Sequence, residues 1–131
     1  MPHLPTNPAH LGLGASASIE PEFTDESWYA AYTARHAEDG AEGRLVSQFS
    51  FSESWASWEM HPRGAELVIC TAGKIVLHQE HADGSTDSVV LGPGDYVINP
   101  PCSWHTADVD AGTSATAIFI TPGVGTQHRP R

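Results

Sequence analysis

From residue 44 onward, hydrophobic and polar positions alternate with a period of two, as in strands that bury one face. Residues 45–52 put Phe49 and Phe51 on one side and Ser50 and Ser52 on the other. Segments 55–61, 66–71, 74–80, 86–91, 96–98, 105–109 and 115–121 continue the pattern. The breaks between them carry turn chemistry, among them Ala72-Gly73, Gly92-Pro93-Gly94-Asp95, Pro100-Pro101 and Asp110-Ala111-Gly112. About seven or eight short strands at this spacing predict an all-β sandwich or barrel.

The ends of the chain read differently. Residues 1–23 hold four of the ten prolines and show no sustained periodicity before Ile19, which predicts an extended arm. Residues 24–39 predict one short helix, with Thr24 or Asp25 as cap and Gly40 as the stop. Trp28 and Tyr32 stand four apart and share the face that docks. Residues 122–131 predict a surface strap. The chain thus divides into an arm and helix (1–43), a barrel (44–121) and a C-terminal strap (122–131).

Composition narrows the function classes. A chain of 131 residues is one domain's worth, and 40% hydrophobic content excludes wholesale disorder. No apolar run approaches the ~20 residues of a membrane helix. Sixteen acidic against six basic residues give a net charge of −10, which disfavours nucleic acid and anionic membranes as partners. The start Met1-Pro2-His3-Leu4-Pro5 has neither the basic nor the apolar part of a signal peptide, so a cytoplasmic address is expected. Cys70 and Cys102 do not form a CxxC pair and are expected to be reduced thiols.

The chemistry concentrates in Trp55-Ala56-Ser57-Trp58-Glu59-Met60-His61. Alternation places Glu59 and His61 on one strand face, with Ser57 and Trp55 behind them, and sends Trp58 and Met60 to the other. A barrel wall accommodates both faces if the polar pair looks into a lumen and the helix or a partner subunit covers Trp58 and Met60. Together with Glu66 and His105, His61 supplies two imidazoles and a carboxylate. That donor set makes the facial triad of non-haem iron sites and, with a fourth ligand, also suits Mn, Ni or Zn.

Two motifs carry a resemblance. The run Glu59-x-His61-x4-Glu66-x6-Gly73 resembles the first motif of the cupin superfamily, and Gly94-x5-Pro100-x-Cys102-x2-His105 resembles its second. The likeness spans about residues 45–121 and implies a double-stranded β-helix (jelly-roll) barrel, a metal at its mouth and a homodimer. Three positions depart from the family pattern: Glu59 stands for a histidine, Cys102 for a glycine, and Val109 for an asparagine. By position, the implied ligands are Glu59, His61, Glu66 and His105.

Three roles for Glu59 stay open: fourth ligand, general base beside a three-residue metal site, or remnant of a site that holds no metal. One divalent metal per chain is expected, with Fe or Mn favoured by the carboxylates and Zn or Ni as alternatives. Arg63, in the turn between His61 and Glu66, is a candidate for holding an anionic substrate, and Cys102 for presenting a thiol at the mouth. Cys70 shares the face of Glu66. His78 and His81 are expected to be exposed imidazoles beside a hairpin tip, and Trp104 to point away from the ligand face. The expected activity is metal-dependent chemistry on a small organic substrate, with an oxidoreductase of dioxygenase type leading. The alternatives are an isomerase, lyase or cyclase using Glu59 as base, and a non-catalytic barrel that binds a small ligand.

Overall fold

The computed structural model describes residues 1–131 and has eleven strands, all paired antiparallel. In chain order they are β1 (Ala9–Gly12), β2 (Ser16–Ile19), β3 (Arg44–Phe51), β4 (Ser57–Met60), β5 (Glu66–Ala72), β6 (Ile75–Glu80), β7 (Thr86–Leu91), β8 (Tyr96–Asn99), β9 (Trp104–Asp108), β10 (Ala115–Thr121) and β11 (Gln127–Pro130). One sheet runs β2-β1-β3-β10-β5-β8 and the other β11-β4-β9-β6-β7. The predicted strands lie where the alternation placed them, within one or two residues at most ends.

Inward side chains follow the parity of the sequence, and each inward row changes character along its length. On β5 it reads Glu66, Val68, Cys70, and on β10 Ala115, Ala117, Phe119, Thr121. Strand β6 presents Ile75, Leu77 and Gln79, and β9 presents His105 and Ala107. Antiparallel pairing stacks the apolar ends of these rows into one core at the closed end, from Val68, Cys70, Ile75, Leu77, Leu91, Ala107, Ala115, Ala117 and Phe119. The polar ends meet at the other end of the barrel. A half-polar lumen is therefore written into each strand, and the alternating directions of the strands gather it at one mouth.

Gly73 turns β5 into β6 with φ 75°, and a Cβ there would lie 2.2 Å from the Ser114 carbonyl oxygen. Both the left-handed backbone and the close strand approach require glycine. Gly94, ahead of β8, also has positive φ.

The N-terminal segment is extended, as expected, but it is paired rather than loose. β1 and β2 form a hairpin whose first strand hydrogen-bonds to β3, lengthening one sheet by two strands. Their short, largely polar runs gave no periodic signal; the exposed edge of β3 is what recruits them. The helix α1 spans Ser27–Arg35, shorter than the predicted 24–39 at both ends, and the chain then tightens into a 3-10 segment at Ala37–Glu42. Asp25 accepts hydrogen bonds from the Ser27 backbone N–H (2.9 Å) and hydroxyl, so the first turn starts later than a cap at Thr24 would place it. Trp28 and Tyr32 do share a face, with rings stacked 5.4 Å apart. Phe23 links this helix to the barrel by an edge contact with Phe49.

Trp58 and Met60 face away from the lumen, and within the chain it is the C-terminal strap rather than the helix that lies beside Trp58. The C-terminal strap is itself a strand, β11, paired with β4. Its Arg129 guanidinium lies 5.2 Å from the Trp58 ring centre and 4.5 Å from that of Trp104, and donates to Glu80 (2.7 Å). Stacking of a planar cation on two indoles shields an outer face that alternation alone leaves uncovered. His78 and His81 are also not free. His78 bridges Ser88 and Asp108, and His81 bridges Ser103 and Asp87.

Candidate metal centre

Four side chains meet at the polar mouth. Glu59 (β4) stands in register opposite His105 (β9), which stands opposite Gln79 (β6), while Glu66 opens β5 and His61 ends the β4 segment. Donor atoms of Glu59, His61 and His105 lie within 4.8 Å of one another. Glu66 spans the two imidazoles: Oε2 is 3.2 Å from His61 Nε2 and Oε1 is 3.1 Å from His105 Nε2. Glu59 Oε1 lies 3.6 Å from His61 Nε2. His61, Glu66 and His105 are all buried, whereas Glu59 is 28% exposed toward the mouth.

These short distances are not hydrogen bonds. Both Nε2 atoms are buried without a hydrogen-bond partner, because the ring N–H directions miss the Glu66 oxygens. His61 is oriented from behind. Thr126 donates its hydroxyl proton to the Gly123 carbonyl (2.9 Å), so its oxygen is left to accept from His61 Nδ1–H (2.8 Å). The neutral ring then carries its proton on Nδ1 and turns a bare Nε2 lone pair into the site. Lone pairs and carboxylate oxygens converging in a buried space repel unless a cation lies among them. The residues fit a divalent metal, and two imidazoles with two carboxylates are a donor set for a borderline or hard ion.

Glu66 is held by neutral donors. Asn99 Nδ2 donates to its Oε1 (3.0 Å) and Thr121 to its Oε2 (2.7 Å). Gln79 in turn donates to Asn99 Oδ1 (2.8 Å) and so fixes the amide's orientation. Burial pushes the Glu66 carboxyl up, but donation and charge from the His105 and His61 rings in their protonated forms outweigh burial and hold it well below the usual carboxylate range, a role a cation among the bare nitrogens would take over. Burial pulls His61 down, and Glu66 and Glu59 more than offset this, leaving it raised.

The site opens into a cavity of about 1030 Å³. Its walls combine Phe49, Trp55 and Phe119 from the barrel with Tyr29 and Tyr32 from α1, so the helix roofs the mouth. Burial, and then the Glu59 carboxylate, push the Tyr29 phenol up. Arg63 lies on the cavity wall. Cys102 is exposed on the turn before β9, and its Sγ faces the Pro62 carbonyl (3.8 Å). Its backbone has the larger part: φ is 65°, and its N–H donates to the His61 carbonyl (3.1 Å), tying the two motifs together. Cys70 looks inward as parity required, but it sits in the apolar core, where burial pushes its thiol up.

Sequence reasoning missed several neighbours. Thr126, Asn99 and Thr121 orient the ligands, and His128, across from Glu59 on β11, approaches it to 3.8 Å. No spacing rule pointed to them, because each comes from a strand end whose register only the fold sets.

Two antiparallel sheets closed into a double-stranded barrel, with both motifs at its mouth, are the cupin fold. Solved structures agree. Peruvianin-I, a cysteine peptidase from Thevetia peruviana latex, matches with a TM-score of 0.56 and 24% identity over 66% of this chain and 56% of that one. Oxalate oxidase matches with a TM-score of 0.55 and 16% identity over 63% of this chain and 44% of its own. A domain of Drosophila melanogaster CENP-C matches with a TM-score of 0.52 and 9% identity over 57% and 56%. The chain thus spans about half the length of these structures, and the likeness is one of fold. No protein-family model and no curated protein matches the sequence. No helix is long and apolar enough to cross a membrane.

Proposed function

We propose that this protein is a metal-dependent cupin that transforms a small organic molecule in the barrel mouth, as an oxidoreductase. The observation that carries the reading is the pair of buried, unpartnered Nε2 atoms of His61 and His105 aimed between the Glu59 and Glu66 carboxylates. Those four side chains would hold the ion, with iron or manganese preferred over softer choices. A divalent ion of that kind supplies Lewis acidity and one-electron redox chemistry when bound.

The chain's own residues do the rest. Asn99 and Thr121 hold the Glu66 carboxylate in place, and Thr126 holds His61 in its ligand tautomer. Trp55, Phe49 and Phe119 give a substrate an apolar wall and displace water from it, while Arg63 offers an anchor for a carboxylate. A second reading uses Glu59 as a proton acceptor, in isomerase or lyase chemistry. It is favoured by the partial exposure of Glu59 to the cavity while the other three groups are buried.

Elemental analysis of protein purified without chelator or added metal tests both. About one equivalent of iron or manganese per chain is expected, lost in the His61→Ala/His105→Ala double variant with the barrel still folded. Metal retained by that variant would overturn the site. Metal lost in Glu59→Ala makes Glu59 a ligand; metal retained there moves the assignment to the base. We also propose a homodimer, supported by Tyr96 and Ile98, exposed on the edge strand β8; sedimentation at micromolar concentration tests it.

A further inference from the structure

A second set of polar side chains lines the same cavity, built entirely from the N-terminal 43 residues. His10, on β1, is 3% exposed, and both its ring nitrogens are engaged. Nε2 lies 2.5 Å from Asp39 Oδ2 and Nδ1 lies 2.6 Å from the Tyr32 hydroxyl. A carboxylate only accepts, so the neutral ring carries its proton on Nε2 and Nδ1 accepts from Tyr32 O–H. The order carboxylate, imidazole, hydroxyl is that of a base-activated hydroxyl, with Tyr32 as the terminal group. Tyr32 lines the cavity together with Glu59 and His61, and its hydroxyl oxygen accepts no hydrogen bond from the chain.

The space around this pair is made by glycines. A Cβ on Gly43 would lie 2.9 Å from His10 Cε1, and one on Gly12 would lie 2.7 Å from Asp39 Oδ2 and 3.2 Å from His10 Nε2. Other charged groups face the pair from each packed element. His36 of the helix end stacks on His10 with ring centres 3.6 Å apart, and Glu20, after β2, binds both His36 (3.0 Å) and Arg35 (2.9 Å). His10, His36 and Asp39 could also be taken as a metal cluster. Both His10 nitrogens are already committed, however, and the stacked rings cannot aim at one ion.

We propose that Asp39, His10 and Tyr32 form a proton relay in which Tyr32 takes a proton from an O–H or N–H group of a ligand in the cavity. In that step the ligand's X–H bond breaks and X keeps the electron pair. The proton binds the Tyr32 oxygen as the tyrosine's own proton passes to His10 Nδ1, leaving an imidazolium beside the Asp39 carboxylate. Tyr32 is the catalytic group; His10 and Asp39 position and assist it. Burial, followed by the Glu20 and Asp39 carboxylates, pushes the phenol's pKa up, so Tyr32 rests protonated and reacts only as its proton leaves. The relay needs no metal and stands or falls separately from the metal centre.

Benzenesulfonyl fluoride is the probe. Attack by the Tyr32 oxygen forms an O–S bond, expels fluoride and sends the phenol proton to His10. Peptide mapping of the full chain, with and without chelator, should show Tyr32 modified at least tenfold faster than Tyr29, which lines the same cavity with no imidazole hydrogen-bonded to it. The Tyr32 rate should depend on the imidazole behind it. His10→Gln should bring it to the Tyr29 rate and Asp39→Asn to an intermediate one. Equal rates at the two tyrosines, or an unchanged rate in folded His10→Gln, would overturn the relay and leave a structural clip between β1 and α1. Should His10→Gln not fold, nitrogen NMR of the wild type decides: a neutral His10 ring protonated on Nε2 supports the relay, and a neutral ring protonated on Nδ1 overturns it.

Discussion

Glu59 and His105 face each other across a single β-bridge between β4 and β9, and this register pair joins the two sequence motifs into one centre. Directly opposed residues on one face lie about 5 Å apart at Cβ, close enough for both to bind one ion. A slip of one residue would send Glu59 to the outer face and bring Trp58 inside.

Thr126 fixes which nitrogen of His61 is bare. Thr126→Val should keep the fold and lower metal affinity by about tenfold or more, the usual cost of losing a partner behind a ligating histidine. Competition titration against a chelator of known affinity measures it. Unchanged affinity would show that His61 does not need this support.

Asn99 is 1% exposed and joins Gln79 to the ionised Glu66. Asn99→Ala removes a donor from a buried carboxylate and takes one acceptor from the Gln79 amide, which keeps the Ile98 carbonyl (2.9 Å). The expected loss is about 2–3 kcal/mol, in the range of a hydrogen bond to a charged group. Urea unfolding of the metal-free protein reads it, and a loss within about 0.5 kcal/mol would contradict this network.

Two left-handed positions should respond in opposite senses. Cys102 holds φ 65° with a side chain attached, so Cys102→Gly should raise stability by about 0.5–1 kcal/mol, or roughly 2–4 °C in Tm. Gly73→Ala meets both positive φ and the Ser114 carbonyl, and should cost about 3 kcal/mol or more. Thermal melts of the two variants against the parent test the pair.

Asp108 binds the Arg131 guanidinium and His78, and the Arg131 contact above all holds its carboxyl well below the usual range. A folded-state pKa lowered in this way stabilises the protein above the unfolded value near about 4, and the gain is lost as pH falls toward the folded value. The stability difference between parent and Arg131→Ala should therefore be full at pH 7 and shrink steadily below about pH 4. Denaturant midpoints at pH 7, 5, 4 and 3 give the curve; a difference that grows in acid would refute the assignment. The pair is partly exposed, so added salt should reduce the effect.

Alternation and turn residues alone placed the strands from β3 to β10, because period two and glycine–proline punctuation are local properties of the chain. The same alternation put Glu59 and His61 on one face, and the resemblance of the two motifs to a family pattern grouped them with Glu66 and His105. What local pattern could not carry was register and edge pairing. The N-terminal hairpin forms because β3 offers an open edge, and β11 exists because β4 does; neither segment has periodicity enough to declare itself. Thr126, Asn99, Arg129 and the Asp39–His10–Tyr32 chain follow from those pairings. Each joins residues more than ten positions apart through a contact that only closure of the barrel and docking of α1 decide.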